Sequence, residues 1–211
     1  MKSTLTFLMT ALFLCVGMTV KAQVTIESPW AGSAIEDGQT YYLYNVKANA
    51  FLKGANDWGT QASFGEDAVA FTAEGSGDTY GLKSLTYGDG KYLGDGLYVD
   101  QAKKEFVFVQ VGDGIYTIAK DGAFLAYNGN SVVKTVAEVT DGCYWQLLTK
   151  ESILADMAAA AAGNPYAVTA LIPGANFCRE NHGANSAWTG GPGLDGDVDN
   201  FCAEKWNAGI S

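Results

Sequence analysis

Phe106-Val107-Phe108 is the middle member of three similar apolar segments, and the spacing of these segments decides the fold. The other two are Val69-Ala70-Phe71 and Tyr144-Trp145, so Phe71, Phe108 and Trp145 follow one another at intervals of 37 positions. A fixed period of this length indicates an architecture built from repeated units. The sequence therefore predicts three copies of one structural unit.

Each unit opens with two short apolar segments that alternate in the manner of β-strands. The three pairs are Tyr42-Leu43-Tyr44 with Phe51-Leu52, Tyr80-Gly81-Leu82 with Tyr92-Leu93, and Tyr116-Thr117-Ile118 with Phe124-Leu125. Asp-Gly dipeptides, which favour tight hairpin turns, separate the segments and begin at Asp89, Asp95, Asp113, Asp121 and Asp141. This pattern predicts an all-β fold.

The number of units selects among the all-β folds. Three units are too few for a β-propeller, which typically closes with four to eight blades. They suit a β-trefoil, in which three repeats share one barrel and one core, so Phe71, Phe108 and Trp145 are expected in that core rather than on a ligand. We predict an all-β chain: a β-trefoil of three repeats, followed by a short α-helix and an incomplete β segment.

A helix is predicted directly after the third unit. Residues 149–162 follow the last β segment, with Thr149 as N-cap and Gly163 as C-cap. Ile153, Leu154 and Met157 recur at helical spacing, so we expect them to pack against the trefoil. The predicted divisions are a signal peptide at 1–22, the trefoil at 23–149, a linker helix at 150–163 and the first part of a further β domain at 164–211.

The amino terminus has the pattern of a signal peptide. Lys2 precedes an uncharged apolar stretch over residues 5–20, and Val20-Lys21-Ala22 suits cleavage after Ala22. The apolar stretch is short for a membrane span. The sequence therefore predicts export, with the mature chain secreted or at the cell surface.

The charge of the chain restricts its partners. The formal charge is −10, and removal of Lys2 and Lys21 with the signal peptide makes it more negative by two. Such a protein repels phosphate backbones and anionic bilayers, which argues against nucleic-acid and membrane-surface partners. Neutral ligands and basic proteins remain as partners. No segment after the signal peptide is predicted to insert into a membrane.

Several segments resemble secreted multidomain proteins of the Bacteroides and Prevotella type. The resemblance is carried by residues 41–46, by Asn56-Asp57-Trp58-Gly59-Thr60-Gln61-Ala62 and by residues 144–149. In those proteins a ricin-type, lectin-like β-trefoil follows the signal peptide. The tail, with Asn176-Phe177-Cys178 and Asn200-Phe201-Cys202, resembles the opening strands of the galactose-binding-like jelly roll that usually comes next.

The resemblance implies a module for complex glycans, with one departure from the family pattern. The ricin lectin signature places Gln two positions before the closing Trp of each repeat. Here those positions hold Val69, Phe106 and Cys143. Sugar sites of the inherited kind are therefore in doubt.

Candidate ligand residues are aromatic side chains in polar loops, because a neutral sugar packs its C–H face on an aromatic ring while amides and carboxylates bind its hydroxyls. Trp58 is the leading candidate, since it lies among polar neighbours. The second repeat offers Asp95 with Tyr98, and the third offers Tyr127 with Asn128. The predicted ligand residues are Asn56, Asp57, Trp58, Gln61, Asp95, Tyr98, Tyr127 and Asn128.

The tail contains weaker signals for a calcium site and for a disulfide. Asp195, Asp197 and Asp199 alternate as in calcium loops but lack the EF-hand glycine and glutamate, so a structural calcium site competes with a solvated turn. Cys143, Cys178 and Cys202 are an odd number for an oxidising compartment, and Cys178 with Cys202 is the candidate disulfide. No other cofactor is predicted.

The predicted function follows from these signals. The single histidine, His182, lies in a polar loop without a nucleophile motif, so we predict that the chain is not an enzyme. The leading interpretation is a secreted, noncatalytic, lectin-like module that targets a surface or extracellular protein to glycans. The alternative is an adhesion or scaffold module that binds protein and has degenerate sugar sites.

Overall fold

A computed structural model describes residues 26–55, 57–65 and 68–161. Ten β-strands and one α-helix lie in this part of the chain. The first repeat holds strands β1 (Thr40–Asn45), β2 (Ala50–Ala55), β3 (Gln61–Gly65) and β4 (Ala70–Ser76). The second holds β5 (Thr79–Ser84) and β6 (Glu105–Gly112). The third holds β7 (Ile115–Lys120), β8 (Ala123–Ala126), β9 (Lys134–Val136) and β10 (Tyr144–Leu148), and helix α1 (Lys150–Ala161) follows.

Six of these strands form a closed antiparallel barrel. Strand β1 pairs with β4 and β10, and the circuit continues from β4 through β5, β6 and β7 back to β10. Each repeat therefore contributes two strands to the barrel. Closure of the circuit leaves none of these six strands with a free edge.

Three hairpins attach to the barrel, one from each repeat. The first is β2 with β3, and the third is β8 with β9. In the second repeat the hairpin is reduced to a single bridge between Tyr92 and Gln101. The hairpins contact one another through the backbone, since the Val133 N–H donates to the Ala62 carbonyl at 2.9 Å and the Val99 N–H to the Thr60 carbonyl at 2.8 Å. A six-stranded barrel with three such hairpins is a β-trefoil, which confirms the predicted fold class.

One apolar core unites the three repeats. Phe71, Phe108 and Trp145 are all buried in it, which confirms that they are core residues. Each hairpin adds an equivalent leucine, and the side chains of Leu52, Leu93 and Leu125 are fully buried. Trp145 also connects two repeats, because its ring stacks on Phe64 of the first repeat. Within its own repeat, its indole N–H donates to the Leu125 carbonyl at 2.9 Å.

Helix α1 starts and packs as its sequence predicts. Thr149 and Ser152 cap it reciprocally, with side-chain to backbone hydrogen bonds of 3.1 and 3.0 Å. Ile153 and Met157 are fully buried, whereas Leu154 is half-buried. The carboxylate of Asp156 accepts a 2.8 Å hydrogen bond from the Ala31 N–H, so the helix is tied to the segment that precedes β1.

Residues 1–25 and 162–211 lie outside the described part of the chain. The predicted signal peptide, the Gly163 cap and the predicted incomplete β segment fall there. The candidate calcium residues Asp195, Asp197 and Asp199, and the candidate disulfide between Cys178 and Cys202, fall there as well. Within the described residues, no helix has the length and apolarity needed to cross a bilayer.

Candidate functional site

The turn between β2 and β3 presents Trp58 to solvent. Trp58 is 97% exposed, and its backbone is left-handed at φ 62° and ψ 11°. Gly59, the next residue, also has a positive φ of 78°. A bulky residue rarely adopts this conformation, and such strain is concentrated at functional sites. Burial therefore does not explain this tryptophan.

Tyr87 anchors the turn that carries Trp58. Its hydroxyl donates a 2.9 Å hydrogen bond to the carbonyl oxygen of Gly59, and its half-buried ring packs against the core. Burial, with a smaller effect of Asp100, raises the pKa of Tyr87 above its ordinary value, so the hydroxyl keeps its proton. On the other side, Thr60 accepts the backbone bond from Val99. The exposed indole is therefore carried on an anchored backbone.

A second turn, in the hairpin of the second repeat, lies beside Trp58. It is a single 3-10 turn over Asp95–Leu97, and Gly96 within it has φ 65°. A Cβ atom on Gly96 would lie 2.8 Å from the ring of Tyr98, so the absence of a side chain there makes room for that ring. The Gly94 N–H donates to the Tyr98 carbonyl at 2.9 Å and closes the loop.

The two turns enclose a cavity of about 480 Å³, which we call the Trp58 cleft. Its volume lies within the range of about 300–1,000 Å³ that is usual for small-molecule sites. The cleft combines two aromatic side chains with hydroxyl, carboxylate and amide groups, and its lining residues are Trp58, Thr60, Asp95, Gly96, Tyr98, Asp100 and Gln101. Trp58, Asp95 and Tyr98, predicted from two different repeats, thus meet in one place.

Two lysines fix the charge of Asp95. The Lys104 ammonium lies 3.2 Å from Oδ2 of Asp95, and the Lys120 ammonium lies 3.2 Å from Oδ1. Lys104, followed by Lys120, lowers the pKa of Asp95 below its ordinary value. Lys120 also contacts Asp121 at 2.9 Å. Asp95 is therefore ionised at neutral pH and can accept hydrogen bonds, but it has no proton to give.

Gln61 lies at a neighbouring cavity rather than in the cleft. Gln61 and Tyr98 form an isolated antiparallel bridge, and the two side chains line different cavities. This second cavity has a volume of about 340 Å³ and is also lined by Lys120, Lys134 and Thr135. Both cavities include Gly96 in their walls.

The structure places the candidates of the third repeat elsewhere. The ring of Tyr127 packs edge-on against Phe64 with 5.2 Å between centroids, and its N–H donates to the Gly142 carbonyl at 3.0 Å. Asn128 is exposed, and its side-chain oxygen accepts a bond from Asn130. Tyr127 and Asn128 line neither of the two cavities. Asn56 and the side chain of Asp57 lie outside the described residues.

The positions where the lectin signature has Gln are buried. Val69 is 4% exposed, and Phe106 and Cys143 are fully buried. The side chains of all three are therefore enclosed by the protein. Cys143 is a free thiol within the described residues. In the same part of the chain, no group of three or more His, Cys, Asp or Glu residues is arranged to hold a metal ion.

Sequence reasoning missed Gly96 and four further residues of the cleft and its support. Thr60, Asp100 and Gln101 line the cleft, and Tyr87 anchors it. One signal was present in the sequence: Asp100-Gln101 and Thr60-Gln61 are both polar pairs that follow an aromatic residue by two positions. Tyr87 gave no such signal, because its role depends on contact with another repeat.

Comparisons with known proteins find only low similarity. No protein-family model and no curated protein matches the sequence. Among solved structures, a ricin B-like lectin of Macrolepiota procera in complex with lactose has 17% identity and a TM-score of 0.42, covering 56% of this chain and 99% of its own. SeviL bound to asialo-GM1 saccharide has 15% identity and a TM-score of 0.38, covering 53% and 97%. A salivary protein from Culex has 16% identity and a TM-score of 0.41, covering 56% and 97%. At these values we assign the fold from the barrel and its hairpins.

Proposed function

We propose that the chain is a secreted, noncatalytic carbohydrate-binding module whose binding site is the Trp58 cleft. The observation that carries the proposal is Trp58 itself, 97% exposed on a strained and anchored turn at the edge of a polar cavity. A sugar ring has an apolar C–H face that packs on an indole, and hydroxyls that need donors and acceptors. Tyr98, Gln101 and Asp100 supply a second ring and those polar groups.

The charge of the cleft favours a sugar over other ligands with flat faces. Exposed aromatic rings also stack on nucleic-acid bases, but such sites combine the rings with a positively charged groove. Here Asp95 and Asp100 line the cleft, and the chain has a formal charge of −10. The many charges of an extended phosphate backbone would be repelled by the chain as a whole. Neutral hydroxyl groups would be bound by the same carboxylates.

The charge state of Asp95 does not suit one catalytic role, that of a general acid. Glycoside hydrolysis needs a carboxylic acid that keeps its proton near neutral pH, which requires a raised pKa. The two lysines lower the pKa of Asp95 instead. In the proposal, the predicted signal peptide exports the module, and the module tethers a surface or extracellular protein to glycans.

The test is a broad glycan array with the full mature chain, followed by calorimetric titration of the glycans that bind. Trp58→Ala should abolish binding and leave the melting temperature nearly unchanged, because the side chain is almost fully exposed. Val139→Ala is the matched control, since Val139 is 46% exposed and lines neither cavity. It should bind as the wild type does.

A pull-down of protein partners with the wild-type chain and with Trp58→Ala, beside the glycan array, separates the alternative. Tryptophan is also enriched at the centres of protein interfaces. If the wild-type chain binds no glycan but retains a protein partner in a Trp58-dependent manner, the module is an adhesion or scaffold domain and the carbohydrate proposal is wrong.

A further inference from the structure

The second cavity differs in charge from the cleft beside it. The cleft has Asp95 and Asp100 in its lining and no lysine. The second cavity has Lys120 and Lys134 in its lining, with Asp121 as the acidic member. Two neighbouring cavities of unlike charge are suited to a ligand whose two ends differ in charge.

The two cavities lie next to each other and share part of their lining. The Asp95–Leu97 turn separates them, and Gly96 belongs to the lining of both. Because Gly96 has no side chain, only its backbone atoms lie between the two cavities at that point. Thr60 in the cleft and Gln61 in the second cavity are consecutive residues, so the two cavities are also neighbours along the chain. An oligosaccharide can therefore occupy both.

The lysines of the second cavity are not equivalent. Lys120 is already bound to Asp95 and Asp121, and its side chain is only 17% exposed. Lys134 is exposed on β9 and makes no ion pair with any described residue. Lys104, Lys120 and Lys134 lie in or beside the two cavities together with Asp95, Asp100 and Asp121, so the charges balance in number, and Lys134 is the lysine among them that makes no ion pair with a described residue.

We propose that the second cavity is an anionic subsite, and that the module binds acidic glycans with a carboxylate or sulfate next to the sugar held by Trp58. The inference rests on the proposed function. The ammonium of Lys134 binds the anionic group, and the Gln61 amide and Thr135 hydroxyl supply hydrogen bonds. The negative charge of the whole chain does not prevent this, because salt screens it beyond about 8 Å, whereas the lysine acts at contact.

The experiment uses matched oligosaccharides with one backbone sequence: a neutral form, a uronic-acid-terminated form and a sulfated form. Each is titrated into the wild-type chain, Lys134→Gln and Trp58→Ala. Lys91→Gln is the matched control, because Lys91 is exposed and lines neither cavity. Circular dichroism and the melting temperature verify that every variant is folded.

The wild type should bind at least one acidic form more tightly than the neutral form, and the acidic form that is preferred identifies the anionic group. Lys134→Gln should weaken the binding of the acidic form by about fivefold and leave the binding of the neutral form unchanged. Lys91→Gln should change neither affinity. High salt should remove the preference. The proposal of an anionic subsite is wrong if the acidic and neutral forms bind equally, or if Lys134→Gln retains the preference for the acidic form. In either case Trp58-dependent binding, and with it the proposed function, still holds. If no form binds, the proposed function fails as well.

Discussion

The hydroxyl of Tyr87 donates a 2.9 Å hydrogen bond to the carbonyl oxygen of Gly59, and this bond holds the turn that presents Trp58. Tyr87 belongs to the second repeat and Gly59 to the first. The cleft is therefore a product of two repeats, and its geometry depends on contacts between them. An anchored turn also binds more tightly, because less freedom is lost when the ligand binds.

The first prediction removes that anchor. Tyr87→Phe keeps the ring in the core and deletes the hydroxyl, so the free energy of unfolding should fall by about 0.5–1.5 kcal/mol. Glycan affinity should fall by about fivefold, which corresponds to about 1 kcal/mol of lost preorganisation. Urea unfolding and calorimetric titration measure the two quantities. Thr72→Val is the control, because it removes the 3.2 Å hydroxyl contact with Thr40 on the barrel. Equal loss of affinity in both variants would contradict a specific role for Tyr87.

The second prediction concerns the strain at Trp58. An L-residue in the left-handed region costs about 1–2 kcal/mol, and glycine avoids this cost. Trp58→Gly should therefore unfold with a free energy about 1 kcal/mol higher than Trp58→Ala, although neither variant binds glycan. Urea unfolding of the two variants checks the difference. Equal stability would show that the turn relaxes out of the left-handed region without the indole.

The fold could be predicted from the sequence because it is built from three repeats. The even spacing of Phe71, Phe108 and Trp145 reports three core positions that the barrel brings together. The cleft was only partly predictable. Trp58 and Tyr98 each stood out as aromatic residues in polar loops, but their meeting depends on how neighbouring hairpins bond, as Val99 does to Thr60.

Two local features had no sequence signal. The reduced hairpin of the second repeat keeps only the bridge between Tyr92 and Gln101, although Tyr92-Leu93 resembles its counterparts in the other repeats. The left-handed backbone of Trp58 is the other feature, since Gly59 beside it is the residue that turn preferences would place there.

The third prediction tests the shared core. Leu52, Leu93 and Leu125 are fully buried at equivalent positions, so each Leu→Ala variant should lose about 2–5 kcal/mol of unfolding free energy. Leu85→Ala, at a position that is 43% exposed, should change it by about 0.5 kcal/mol or less. Urea unfolding compares the four variants. A core leucine that behaves like Leu85 would show that its repeat is not part of the common core.

The fourth prediction is a pH dependence with a defined sign. Lys104, followed by Lys120, lowers the pKa of Asp95 in the folded state, so these ion pairs stabilise the fold above the unfolded-state pKa of about 3.9. That contribution is lost as the pH falls through the folded-state pKa. Asp95→Asn should therefore be slightly less stable than the wild type at neutral pH and low salt, and equal to it in strong acid or in high salt. A difference in urea midpoint that persists in acid would assign the effect to something other than charge.

The fifth prediction separates backbone strain from the position of a binding ring. Gly96 and Gly90 both have positive φ, at 65° and 70°, so replacement by alanine strains the backbone similarly and should destabilise each variant by about 1 kcal/mol. The added methyl group meets the ring of Tyr98 at position 96, whereas nothing lies within 4 Å at position 90. Gly96→Ala should therefore also displace Tyr98 and weaken glycan binding, and Gly90→Ala should bind normally. Calorimetric titration measures the glycan affinity of both variants. Normal affinity in Gly96→Ala would mean that Tyr98 does not contact the sugar. Binding would then depend on Trp58 without a second aromatic ring.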